Sequence, residues 1–268
     1  MNKTVAIAGL GAIGMALARH LDAGVEGLQL VAVSARDRAG AEARLAGFRD
    51  PPPVVELAEL AERADIVVEA APAAVFDEIA RAAIARGRVL VPASVGALLP
   101  RMHLVEEARR TGARIIVPTG ALLGLDAVRA AAEGGVSSVT MQTRKPPRGL
   151  AGAPYLEQHG IDVAAIAEAT CVFRGNALDA ARGFPANVNV AAALGLAGIG
   201  PERTEVEIWA DPGVTRNTHT IRVEADAARL TMTIENVPSE ENPRTGKITA
   251  LSVLACLRGL ASTLKVGS

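Results

Sequence analysis

Short apolar runs and helix-spaced apolar stripes alternate through the first part of the chain. Apolar runs at residues 5–8, 28–34, 64–72, 88–92 and 114–117 have the continuous hydrophobic character of strands buried on both faces. Between them, segments at 12–23, 37–47, 56–63, 73–86 and 100–111 carry apolar residues at helical spacing. Such regular alternation predicts a doubly wound parallel sheet over residues 1–117.

The pattern changes after Pro118. Residues 136–144, 205–210, 218–224 and 229–235 alternate apolar and polar with a period of two, as strands with one wet face do. Helical patterns at 160–168, 177–182 and 186–196 fall among them, which predicts an α+β domain with an open antiparallel sheet over 118–239. A last, mostly aliphatic helix within 240–268 is expected to pack back on the first domain. The fold class is therefore α/β: an N-terminal Rossmann-type sheet plus a second α+β domain.

The first apolar run ends in Gly9-Leu10-Gly11-Ala12-Ile13-Gly14, a G-x-G-x-x-G turn between a predicted strand and a predicted helix. In that context Gly9 allows the tight turn, Gly11 admits a pyrophosphate to the backbone, and Gly14 lets helix and strand pack closely. The N–H groups of the first helical turn, including Ala12 and Ile13, present a positive dipole end to phosphate. Ligands of such sheets bind beyond the C-terminal strand ends, which adds Ser34, Arg36, Ala71 and Pro72 to the candidate cofactor residues. An acid that would hold the ribose 2′-hydroxyl is replaced by Ser34. Arg36 offers a bidentate partner for a 2′-phosphate, and Asp37 is the nearest carboxylate. The cofactor expected is NAD or NADP, with NADP accepted.

Composition narrows the class. Half of the residues are hydrophobic, only 2% are aromatic, and the formal net charge is −1. Nothing there supplies the phosphate neutralisation or stacking surface of a nucleic-acid binder. The most apolar stretch, residues 188–199, is too short and too glycine-rich to cross a bilayer. Cys171 and Cys256 are far apart without metal-ligand spacing, so buried free thiols and a cytoplasmic setting are expected, and no metal.

Three polar clusters in the second half are suited to chemistry. Asn187 and Asn189 open an apolar helix, where N-capping accounts for one carboxamide but not both. His219 stands at a loop-to-strand junction, where an imidazole can take a proton; a structural histidine remains the alternative. Asn242 and Thr245 precede the last helix. Arg144 and Lys145 are cations available for a carboxylate, the alternative being a solvated strand end. Asp65 and Glu69 flank one buried run and are read as capping or lining the cofactor edge.

These clusters, together with the segments 94–98, 119–126, 143–147, 184–194, 196–200, 210–221 and 234–246, resemble the L-aspartate dehydrogenase family in order over nearly the whole chain. The resemblance implies a homodimeric Rossmann enzyme. Its reaction would be the oxidative deamination of L-aspartate with NAD or NADP, giving iminoaspartate and then oxaloacetate and ammonia, or feeding NAD biosynthesis. It matches the family's active-site histidine to His219 and its second-domain cofactor contacts to Leu123 and Asn189. Two alternatives stay open. One is another two-domain NAD(P) oxidoreductase, of the dihydrodipicolinate reductase or homoserine dehydrogenase type; the other is a non-catalytic dinucleotide-binding sensor.

Overall fold

The computed structural model describes residues 2–185, 188–239, 241 and 245–267. Two compact units emerge. The first comprises residues 1–118 and 249–268, the second residues 119–248.

In the first unit, strands β1 (Lys3–Ala8) and β2 (Leu28–Ser34) are joined by helix α1 (Ala12–Ala23). Helices α2 (Arg38–Leu45) and α3 (Leu57–Arg63) lead to β3 (Ile66–Glu69), and α4 (Phe76–Ala85) leads to β4 (Val89–Pro92). Helices α5 (Val95–Leu98) and α6 (His103–Thr111) precede the short β5 (Arg114–Ile115). The five strands are parallel, in the order β2-β1-β3-β4-β5. Val54 makes an isolated parallel bridge to Val33 on the outer edge of β2. Counting that bridge as a vestigial strand, the order is the dinucleotide-binding 3-2-1-4-5-6, with its switch point between β1 and β3.

The core explains the order. Val5 to Ala8 are fully buried, as a central strand covered on both faces requires. Helix α1 buries Gly14, Met15, Leu17, Ala18 and Leu21, a 3.6-period stripe. The last helix of the chain adds Val253, Leu254 and Leu257 to this core. Asp65 accepts hydrogen bonds from the Thr4 N–H and hydroxyl at 3.0 and 2.9 Å, pinning the start of β3 to β1. It therefore sits at the opposite strand end from the crevice and does not line the cofactor edge.

The second unit begins with α7 (Leu125–Ala132) and the long β6 (Val136–Lys145). There follow α8 (Pro154–Gln158), β7 (Thr170–Asn176), α9 (Ala177–Gly183), α10 (Asn189–Ala197), β8 (Thr204–Ala210), β9 (Asn217–Ala225) and β10 (Arg229–Asn236); α11 (Lys247–Ala261) closes the described chain. The sheet order is β10-β9-β6-β8-β7. Strands β6 and β8 run parallel and the other pairs antiparallel, so the sheet is mixed. Two local expectations change. Residues 160–168 form only a 3₁₀ turn at Val163–Ala165, closed by the Asp162 side chain accepting from the Ala164 N–H. The edge strand β7 was not apparent in the pattern.

One face of this sheet is buried: Val139, Met141, Thr143 and Lys145 from β6, Val206, Ile208 and Ala210 from β8, and His219, Ile221 and Val223 from β9. Helix α10 is buried at Val190–Gly195, almost all round. Tyr155, Phe173 and Phe184 gather half of the chain's six aromatic residues into one cluster, with Phe173 edge-on to the other two rings. Both cysteines are free and only partly buried, less so than expected; burial nevertheless pushes the Cys256 thiol up to about 11. No helix among the described residues is long and apolar enough to cross a membrane.

Candidate active site

The crevice of the first unit is built by the turns after β1, β3 and β4. Gly9 adopts φ +93°, and a Cβ there would lie 2.6 Å from the Ala70 carbonyl oxygen. A Cβ on Gly14 would lie 1.9 Å from the Gly9 carbonyl oxygen, so helix and turn meet with no room for a side chain. Gly11 is different, because a Cβ there would meet nothing within 4 Å. No neighbouring atom therefore closes off the backbone at Gly11. Gly11 is also the N-cap of α1, makes no side-chain cap, and is followed by no acid in the first turn. The N–H groups of Ala12 and Ile13 in the first turn of α1 add the positive dipole end, and the turn fits a dinucleotide pyrophosphate.

Around this turn, Ser34 is buried and its carbonyl accepts from the Gly9 N–H at 2.8 Å. Asp37 is committed as the N-cap of α2, accepting from the Gly40 N–H at 3.0 Å. Arg36 is exposed beside it. Arg44, which the sequence did not single out, donates to the Leu10 carbonyl at 2.9 Å and so ties α2 to the glycine turn. Ala71 is partly exposed and Pro72 exposed at the end of β3. Glu69 is fully buried just before them.

The second unit brings His219 and Lys145 onto the buried sheet face. His219 pairs across β6 with Thr143, and its Nδ1 is 2.9 Å from the Thr143 hydroxyl. Burial, with the charge of Lys145 nearby, pushes the imidazole down to about 3. Burial likewise lowers the Lys145 ammonium to about 8. The cluster is therefore a neutral imidazole held by a hydroxyl and set beside a cation that is reluctant to stay charged. Thr143 escaped the sequence reading because only the β6–β9 register brings it to His219.

Arg144 does not join this cluster. Neighbouring residues on a strand point to opposite faces, and Arg144 lies on the other one. There it pairs with Asp211 at 3.0 Å, donates to Gln142 at 3.2 Å, and stacks over the Trp209 ring with its carbon 4.6 Å from the centroid. Leu123 is half-buried in a turn between Gly120 and Gly124, both in the left-handed region. Asn189 is the first, exposed residue of α10. The Thr245 carbonyl accepts from the Ser239 N–H at 2.8 Å. Asn187 and Asn242 lie outside the described residues. No metal-ligand group of His, Cys, Asp or Glu occurs among the described residues.

Comparison with known proteins follows the same division. The family model described as the C-terminal part of aspartate dehydrogenase matches residues 126–260, and that of the homoserine dehydrogenase NAD-binding domain matches residues 9–118. An L-aspartate dehydrogenase of Bradyrhizobium diazoefficiens is 57% identical over 264 residues, covering 98% of this chain and 94% of that protein. L-aspartate dehydrogenase 3 of Bordetella bronchiseptica is 54% identical over 265 residues, covering 98% and 97%. A crystal structure of aspartate dehydrogenase from Thermotoga maritima superimposes with a TM-score of 0.74 at 26% identity, over the full length of both chains. A glycine turn shaped for a dinucleotide, a buried histidine–threonine pair and relatives more than half identical over nearly the whole length agree: the chain belongs to the L-aspartate dehydrogenase family.

Proposed function

We propose that the chain oxidises L-aspartate at Cα with reduction of NAD or NADP, giving iminoaspartate that water converts to oxaloacetate and ammonia or that feeds NAD biosynthesis. The observation that carries this reading is the buried Thr143–His219 pair beside Lys145, in a chain whose relatives at 57% and 54% identity are L-aspartate dehydrogenases. The dinucleotide, when bound, supplies the hydride acceptor. Gly9, Gly11, Ala12, Ile13 and Gly14 hold its pyrophosphate, with Ala71 and Pro72 bordering the crevice. Leu123 and Asn189 contribute from the second unit, as the resemblance implies.

The protein's own task is one proton and two carboxylates. The substrate ammonium must lose a proton before hydride can leave Cα. In the tautomer whose Nδ1–H donates to the Thr143 hydroxyl, His219 keeps a bare lone pair on Nε2; burial alone makes that nitrogen a weak base, and the carboxylates of bound substrate raise its affinity for the proton. Once that proton has been released to solvent, the same nitrogen can take a proton from the water that attacks the imine. Thr143 is a positioning residue that holds the tautomer and ring. Lys145 gives a substrate carboxylate its counter-charge, which in turn favours the charged ammonium. Arg144, engaged by Asp211 and Trp209, is the weaker candidate of the basic pair, and Thr245 is a further polar group for orientation.

Ser34 and the capping role of Asp37 leave no uncommitted acid for the ribose 2′-hydroxyl at the end of β2, so NADP is used alongside NAD. The working form is a cytoplasmic homodimer, which light scattering would report as twice the chain mass. The test of the activity is the near-ultraviolet absorbance of reduced nicotinamide with L-aspartate, L-homoserine and 2-hydroxy acids. Reduction with L-aspartate alone is expected. Tight dinucleotide binding without any reduction would make the protein a sensor.

A further inference from the structure

Glu69 has no exposed surface, and no ion pair to it occurs among the described residues. Instead its carboxylate collects three donors: the Ser94 N–H at 2.9 Å, the Ser94 hydroxyl at 3.0 Å and the Ala71 N–H at 3.1 Å. Its main-chain carbonyl also accepts from the Ala93 N–H at 2.8 Å. One side chain thus ties the turn after β3 to the turn after β4. Ser94 is the N-cap of α5 yet makes no side-chain cap, because its hydroxyl is turned to Glu69.

This arrangement is expensive for the fold. Burial pushes the Glu69 carboxyl up, so holding it ionised works against stability near neutral pH. An apolar residue would fill the space at lower cost if packing were the purpose. The two tied turns also bound the crevice: Ala70, Ala71 and Ser94 keep part of their surface exposed, and Ala70–Ala71 occupy the place where a Cβ on Gly9 would be. A shift of Ala71 would therefore press on the glycine turn itself.

We infer that Glu69 is a positioning residue for the dinucleotide, locking the turns after β3 and β4 through Ala71 and Ser94. The inference rests on reading the first unit's crevice as the dinucleotide site. A carboxylate suits the role because all three facing groups are donors; an amide offers one acceptor and sets a donor against a donor. Loss of hydrogen bonds to a charged group, expressed in binding, amounts to about tenfold or more in affinity.

The test is a fluorescence titration of the full-length protein with reduced dinucleotide, without turnover, for the wild type, Glu69→Gln and Ser94→Ala. Thermal melting of the ligand-free proteins is followed in parallel. Glu69→Gln is expected to raise Kd about tenfold or more and Ser94→Ala about threefold, with ligand-free Tm within about 3 °C of the wild type and KM for L-aspartate within about twofold. A Kd within about twofold of the wild type in both variants overturns the inference, as does a Kd that rises only in step with a falling Tm. If Glu69→Gln does not fold, Ser94→Ala decides alone by the same two readings. Failure of the wild type to bind either dinucleotide overturns the crevice reading itself, and that result is distinct from normal binding by both variants.

Discussion

His219 and Lys145 lie on one buried sheet face, and burial acts on both in the same direction. Each is driven toward its neutral form. The imidazole, pushed down to about 3, stays neutral through the physiological range. An NMR titration of its ring protons should show no step near the ordinary 6.5; a step there would contradict the buried, neutral base. Replacement of His219 by Ala should lower kcat by about 10²–10⁴-fold, the usual worth of a general base, with dinucleotide Kd little changed. Thr143→Val keeps the volume but removes the hydroxyl, and kcat should fall about tenfold without loss of dinucleotide binding. Equal losses in kcat and in dinucleotide binding would assign Thr143 to the fold instead. For Lys145 the linkage has a definite sign. Its folded pKa of about 8 lies below the ordinary 10.5, so the unfolded chain binds more protons between those values and wild-type stability rises with pH across them. Lys145→Met removes that dependence. Its Tm relative to the wild type should be highest near pH 7 and fall as pH rises from about 8 to about 10.5; a constant difference would contradict the burial cost.

At the scale of elements, the glycine turn separates space from function. Gly14→Ala puts a Cβ 1.9 Å from the Gly9 carbonyl oxygen and should unfold the first unit or lower its Tm sharply. Gly11→Ala meets nothing within 4 Å and should leave Tm within about 2 °C, yet raise dinucleotide Kd about tenfold by crowding the pyrophosphate. Similar Tm values for the two variants would remove the packing argument. The parallel half was legible because strands buried on both faces and amphipathic helices write different periods into the chain. Much of the second half was not. Alternation reports that one face is wet but carries no strand direction, so the parallel pairing of β6 and β8 could not be read from it. Strand β7 is a short edge strand with exposed Thr170 and Arg174 and a terminal Gly175-Asn176, and it shows no clean alternation. The site followed the same rule. Gly9–Gly14 could be found by spacing, whereas Thr143 with His219, and Glu69 with Ser94, are pairs made by register and by neighbouring strand ends far apart in sequence. Adjacent Arg144 and Lys145, once placed on a strand, must face apart.

At the scale of the whole molecule, two units divide the chemistry. The first carries the glycine turn that leaves Gly11 unobstructed, and the second a buried imidazole beside a buried lysine. Membership of the L-aspartate dehydrogenase family supplies the substrate that gives both a purpose. Hydride is expected to leave Cα of L-aspartate for the dinucleotide, and isotope transfer follows it atom by atom. With L-aspartate deuterated at Cα and unlabelled oxidised dinucleotide, mass spectrometry should find one deuterium in the reduced dinucleotide. Unlabelled L-aspartate in deuterated water should leave none. Reduced dinucleotide without deuterium in the first experiment, or no reduction at all beside intact dinucleotide binding, would contradict the account.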